Sequence, residues 1–224
     1  MNRHVITIDG PGGAGKSTVA KLLSQKLAWA YLDSGALYRI VAYLAYKKQI
    51  TDYNMLLAIL EQHHIQFKTT QNRYQVFLDK EDISTAIRTE KMGKMASDLA
   101  KLPAIHQALV NMQREYECPM NLVTDGRDMG SAIFPEAELK LYLTASLDAR
   151  ALRRQKELAR RGEVLDIVAI KKQLQARDEQ DQKRAYAPLV APEDSVEIDT
   201  TPYDIDQVVE MLYKLWHNKA ILVR

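Results

Sequence analysis

Residues 10–17 read GPGGAGKS and follow directly on the apolar run Val5–Ile8, VITI. The stretch satisfies G-x-x-x-x-G-K-[ST], a pattern that requires a strand before it and a helix after it. Its glycines let successive backbone N–H groups converge on phosphate oxygens, while the helix that follows adds its positive N-terminus. Both neighbours are present, because Val19, Leu22, Leu23, Leu27 and Ala30 recur at the spacing of one buried helical face. The stretch is therefore a nucleoside-triphosphate cradle formed by Gly10, Pro11, Gly12, Gly13, Ala14, Gly15, Lys16, Ser17 and Thr18. In it Lys16 reaches the outer phosphates and the Ser17 hydroxyl sits on Mg²⁺.

Four further apolar runs read as strands: Trp29–Leu32, Leu122–Thr124, Leu139–Leu143 and Val196–Ile198. Most are followed by helical patterns, so the fold class is α/β with a parallel sheet. Ile205, Val208, Val209, Leu212, Leu215 and Trp216 form the stripe of a final helix, opened by a capping box from Asp204 to Gln207. The interval between the second and third strands is too long for a simple crossover. Within it IQFKTT, YQVFLD and EDIST read as short antiparallel strands, with a turn near Asn72 and Arg73. A second insertion, rich in charge and poor in glycine, spans about residues 150–188.

Composition excludes several classes. The 224 residues are 46% hydrophobic and 27% charged with a net charge of +2, too balanced for a nucleic-acid coat or a membrane-surface protein. No apolar run approaches the roughly 18 residues of a membrane span. Cys118 is the sole cysteine, which rules out an intramolecular disulfide and suits a reducing cytoplasm; its YECPMN context reads as a loop. MNRH leads straight into VITI and leaves no room for a secretory leader. His4, His63, His64 and His217 show no ligand spacing.

Two constellations at strand C-terminal ends, where open α/β sheets bind ligands, narrow the acceptor. They are LDSGALYR (Leu32–Arg39) and DGRDMG (Asp125–Gly130). A guanine reader N-K-x-D is missing, since Asn218-Lys219-Ala220-Ile221 lacks the Asp. With IRTE (Ile87–Glu90) and RDEQDQKRAYAPL (Arg177–Leu189) added in order, nearly the whole chain resembles the bacterial cytidylate kinases, the longer type of the nucleoside monophosphate kinase family. That resemblance implies a P-loop NTPase fold with five parallel strands in the order 2-3-1-4-5. It divides the chain into a core (1–33, 101–149, 189–224), a monophosphate-binding insertion with a small antiparallel sheet (34–100) and a helical lid (150–188). It also implies transfer of the γ-phosphoryl group of ATP to CMP or dCMP, with Mg²⁺ arriving on ATP, in a cytoplasmic monomer.

The acceptor in such a reaction is a phosphate oxygen that needs no general base, so positioning and charge relief carry the catalysis. Guanidinium groups suit that demand because they grip phosphate oxygens bidentately and stay charged. By resemblance, Lys16, Arg127, Arg153 and Arg184 form the catalytic set. Arg39, Arg127 and Arg184 hold the acceptor phosphate, and Arg153 and Arg154 approach the transferring group or serve as surface charge. Asp128 accepts from the exocyclic amine of cytosine and opposes uracil, or else caps a helix starting near Met129. Ser34 falls on the phosphate side and Ser97 on the base side, Tyr38 is a further CMP contact, and Arg88 is a weaker candidate near the acceptor.

If the segment is helical, Arg177, Asp181 and Arg184 share a face at i, i+4 and i+7, and the resemblance implies that the first two reach the sugar hydroxyls. Asp178, Glu179 and Lys183 point to water. One position departs from the family: Pro103-Ala-Ile is followed by His106 where an arginine is usual, so either base selectivity relaxes or His106 makes a substitute contact. Two rivals remain: a small-molecule kinase using Asp33 as base toward a hydroxyl acceptor, and a nucleotide-driven switch.

Overall fold

The computed structural model describes residues 3–69, 74–116, 120–160 and 162–222. In chain order the elements are β1 (Val5–Asp9), α1 (Lys16–Leu27), β2 (Ala30–Asp33), α2 (Ser34–Lys48), α3 (Tyr53–Leu60), β3 (Ile65–Thr69), β4 (Tyr74–Leu78) and β5 (Glu81–Asp82). A 3₁₀ turn at Ala86–Arg88 leads to α4 (Glu90–Leu99) and α5 (Pro103–Arg114), followed by β6 (Leu122–Asp125) and a π-helical turn at Met129–Ile133. The chain ends with β7 (Leu139–Thr144), α6 (Leu147–Ala159), α7 (Ile167–Gln182), β8 (Val196–Asp199) and α8 (Ile205–Leu222).

The large sheet has the order β2-β6-β1-β7-β8. This differs in label from the expected 2-3-1-4-5 because the three strands of the small sheet are counted between the second and third core strands. β1 pairs in parallel with β6 and β7, and β7 with β8. β1 is buried along its whole length, as the uninterrupted apolar VITI requires of a strand covered on both faces.

The chain divides into two compact units, Met1–Trp29 with Asn121–Arg224, and Ala30–Met120. In the first, α1 packs against α8, and Val19, Leu23, Val208, Val209, Leu212 and Trp216 are buried. The capping box forms in both directions: Gln207 N–H donates to Asp204 at 2.8 Å, and Asp204 N–H donates to Gln207 at 3.0 Å. α6 and α7 pack on each other through Ala151, Leu158 and Ile170, the small core that an otherwise charge-rich segment needs in order to stay folded.

The second unit holds α2–α5 and the antiparallel sheet β3-β4-β5. Tyr74, Val76 and Leu78 of β4 alternate inward, the period of two expected for a strand with one buried face. Asn72, Arg73 and Cys118 lie outside the described residues.

Candidate functional site

In the first unit the chain leaves β1 at Asp9 and forms the glycine-rich loop before α1. Gly10, at φ +139°, shows why glycine is needed, since a Cβ there would lie 2.0 Å from the Leu143 carbonyl oxygen of β7. Lys16 is buried and donates to the Pro11 carbonyl at 2.7 Å, folding its ammonium back over the loop. Burial, and next the Arg127 guanidinium, pull its pKa well below the usual lysine range; a phosphate brought to this loop would restore the charged form.

Ser17 donates to Asp125 at 2.6 Å. A hydroxyl and a carboxylate from the end of the neighbouring strand are the hard oxygen pair that holds Mg²⁺ in P-loop enzymes, so the residues present fit that ion. Among the described residues no three His, Cys, Asp or Glu side chains cluster as a metal site. Asp125 escaped the sequence reading, although it opens DGRDMG.

After β6 come Arg127 and Asp128. The Arg127 Nε donates to Asp181 at 2.7 Å, and Arg184 pairs with the other oxygen of the same carboxylate. Asp181 is fully buried between them. Burial alone would raise its pKa, but Arg127 and Arg184 outweigh burial and hold it below the usual carboxylate range. The Arg184 Nε is buried without a hydrogen-bond partner, a donor with capacity left for an anionic oxygen. Of the expected i, i+4, i+7 face, Arg177 and Asp181 lie on α7, which ends at Gln182, and Arg184 reaches Asp181 from just beyond it.

Asp128 is buried, and burial pushes its carboxyl up to about 6 against the pull of Arg184 and Arg127. The capping alternative is corrected here, because the Asp128 side chain makes no cap hydrogen bond. The caps come from Asp9, whose two carboxylate oxygens accept the Met129 and Gly130 N–H groups at 2.9 and 2.8 Å. Asp9 is itself pushed to about 6 by burial. It was not legible in the sequence, since its partners lie far along the chain.

The expectation that Asp178 faces water is also corrected. It accepts from Arg150 Nη1 at 2.6 Å with 16% of its side chain exposed, because α6 packs against this face of α7. Glu179 and Lys183 do form an exposed i, i+4 pair at 3.9 Å. Arg153 donates to the hydroxyl and carbonyl of Thr200 at 3.0 and 2.6 Å, and the Thr200 hydroxyl in turn contacts the Ala14 carbonyl at 3.2 Å. Arg154 pairs with Glu157 at 2.6 Å on its own helix.

The second unit gathers another set. Ser34, the first residue of α2, is buried, and Tyr38 lies one turn on. The Tyr38 hydroxyl and His106 Nδ1 of α5 are 2.9 Å apart. Arg39 donates through Nη1 to the carbonyls of Ile87 and Thr89 at 2.9 and 3.2 Å, while its guanidinium lies against Gly93 of α4. Ser97 stands half-buried one turn beyond Gly93. Arg88 is 3.8 Å from Asp33, whose carboxylate caps α2 by accepting the Ala36 N–H at 3.0 Å. That use counts against Asp33 as a base toward a hydroxyl acceptor.

The comparisons agree with this architecture. A family model described as cytidylate kinase matches residues 6–218. Curated cytidylate kinases of Marinomonas sp. (strain MWYL1) and Azotobacter vinelandii (strain DJ / ATCC BAA-1303) are each 43% identical over 212 residues, 93% of this chain and 93% of their own. A solved structure of an uncharacterized protein from Eubacterium ventriosum ATCC 27560 has a TM-score of 0.54 at 14% identity, covering 95% of this chain and 98% of that one. At that identity the likeness concerns the fold.

Proposed function

The chain belongs to the cytidylate kinase family, and we propose that it transfers the γ-phosphoryl group of ATP to CMP or dCMP, giving CDP or dCDP and ADP. The observation that carries this reading is the DGRDMG turn. Asp128 sits there as a buried carboxylate beside the Arg127–Asp181–Arg184 cluster, an acceptor for an amine set next to donors for phosphate.

In this reading the first unit's loop and Lys16 hold the triphosphate, with Arg153 steadying the Thr200 segment behind Ala14. Arg127 and Arg184 take phosphate oxygens, Asp128 reads the cytosine amine, and Arg177 with Asp181 meets the sugar. In the second unit Ser34, Tyr38 and Arg39 serve the monophosphate, and Ser97 and His106 the base. Mg²⁺ arriving with ATP would be held by Ser17, with Asp125 beside it, and would supply charge neutralisation on the phosphate oxygens. The three-part division into core, monophosphate-binding insertion and lid belongs to the same proposal. So does a cytoplasmic monomer acting on small nucleotides, with neither nucleic acid nor membrane as partner. Among the described residues no helix is long and apolar enough to cross a membrane.

The test is ADP formation from ATP alone and then with each nucleoside monophosphate in turn. Turnover confined to CMP and dCMP is expected. Equal ADP release without any acceptor would replace the kinase reading with a nucleotide-driven switch.

A further inference from the structure

Arg150 enters none of the roles above, yet it is 7% exposed and its guanidinium makes three hydrogen bonds through Nε and Nη1. Nε donates to the Ala145 carbonyl at 3.0 Å, and Nη1 donates both to the Gly12 carbonyl at 3.1 Å and to Asp178 Oδ2 at 2.6 Å. One side chain thus joins the chain just after β7, the phosphate loop and α7. The loop is shaped to admit it: Gly13 has φ +79°, and a Cβ there would lie 3.1 Å from the Arg150 Cβ.

Asp178 and Asp181 are one turn apart, so α7 is gripped at adjacent positions by two arginines from different segments, Arg150 and Arg127. Charge-assisted bonds of this kind are short and directional when water is excluded. Asp178 Oδ1 remains buried without a hydrogen-bond partner, so the carboxylate's placement answers to Arg150 alone.

We propose that Arg150 is a positioning residue for phosphoryl transfer, fixing α7 to the phosphate loop through Asp178. Arg177, Asp181 and Arg184 are thereby set relative to the loop that carries Lys16. The inference rests on the kinase reading above. Displacements of about 1 Å remote from the reacting atoms cost on the order of 100-fold in rate, so the pair should act on kcat more than on nucleotide affinity.

The experiment compares full-length wild type with Asp178→Asn, Asp178→Glu, Arg150→Met, the double variant Arg150→Met/Asp178→Asn, and Glu179→Gln as an exposed control on the same helix. Steady-state rates with ATP and CMP are read beside ATP affinity by calorimetry and thermal unfolding. Asp178→Asn should lower kcat at least about tenfold with the ATP Kd within about threefold. The double variant should lose no more than the worse single, as partners in one interaction do. Asp178→Glu should recover part of kcat, and Glu179→Gln should match wild type.

A wild-type kcat in Asp178→Asn, or fully additive losses in the double variant, would overturn the inference. If Asp178→Asn fails to fold, Asp178→Glu decides instead. It keeps the charge but shifts it by one methylene, and a lowered kcat at unchanged stability supports positioning while a wild-type kcat refutes it. Absence of CMP turnover in the wild type sinks the functional reading itself, a result separate from any variant.

Discussion

The two units hold their arginines in opposite ways. Around Asp181, Arg127 and Arg184 share one carboxylate with no solvent exposure. In the second unit Arg39 is held by two backbone carbonyls and by the surface of α4. The first arrangement places charge on charge, so its members depend on one another for stability. The second fastens the guanidinium through backbone carbonyls, neutral acceptors whose loss costs less than that of a buried ion pair, so its removal should be felt by an anionic ligand more than by the fold.

The largest effect expected from this contrast is at Asp181. Asp181→Ala leaves Arg127 and Arg184 buried together without their carboxylate, and breaking a buried pair from one side costs about 3–5 kcal/mol. Thermal unfolding should show that loss, with CMP turnover abolished at any temperature where the variant stays folded. A melting temperature equal to wild type would mean that the cluster is solvated in solution and would erase the comparison.

Arg39→Met should reverse the balance. Stability should change by about 1 kcal/mol, the worth of ordinary hydrogen bonds, while the CMP KM rises roughly 10- to 100-fold, the range for bonds to a charged group. The ATP KM should hold. A rise in both KM values together would show that Arg39 supports the fold rather than the acceptor.

The pH dependence sharpens the first unit further. Burial pushes the folded Asp128 carboxyl up to about 6, against the pull of Arg184 and Arg127. A group raised on folding stabilises fully below its unfolded pKa, and that contribution is lost as pH climbs through the folded one. Between about pH 4 and 6, Asp128→Asn should therefore gain stability relative to wild type in paired thermal melts. Asp9 titrates over the same range and keeps some slope in both proteins. If Asp128 reads the cytosine amine, the CMP KM should also rise as the pH drops below about 6. The Asn variant carries the substrate phosphate's own titration near pH 6 but not this one. A parallel KM profile in the two proteins would remove Asp128 from base recognition.

What the sequence revealed follows the same division. The phosphate loop was readable because a backbone cradle fixes glycine and lysine at set spacings, and the large sheet because VITI and its neighbours have one reason to be apolar. The capping box at Asp204 and Gln207 and the nearness of Asp181 to Arg184 were readable because their geometry is local. Asp9, Asp125, Arg150 and Asp178 were not. Each looks like an ordinary strand-end or surface charge until the fold brings it to Met129, Ser17 or the facing helix, and no local period encodes that meeting. Asp178 in particular sits in a run of mixed charge whose exposed members, Glu179 and Lys183, obey the solvated-helix rule that Asp178 breaks.

The smallest expected effect concerns His106, where the family's usual arginine is absent. Its Nδ1 lies 2.9 Å from the Tyr38 hydroxyl. A neutral imidazole offers one donor and one acceptor, and its tautomer sets which of them faces the hydroxyl. An arginine would bring a planar fork of donors but would lose the ring's contact with Tyr38. The two changes oppose each other, each worth about 1 kcal/mol. His106→Arg should therefore move the CMP and dCMP KM values by no more than about fivefold. Tyr38→Phe separates the terms, since it removes the hydroxyl and leaves the ring in place. KM values for CMP, dCMP and UMP that stay unchanged in both variants would make the Tyr38–His106 contact a brace between α2 and α5 and remove it from the acceptor site.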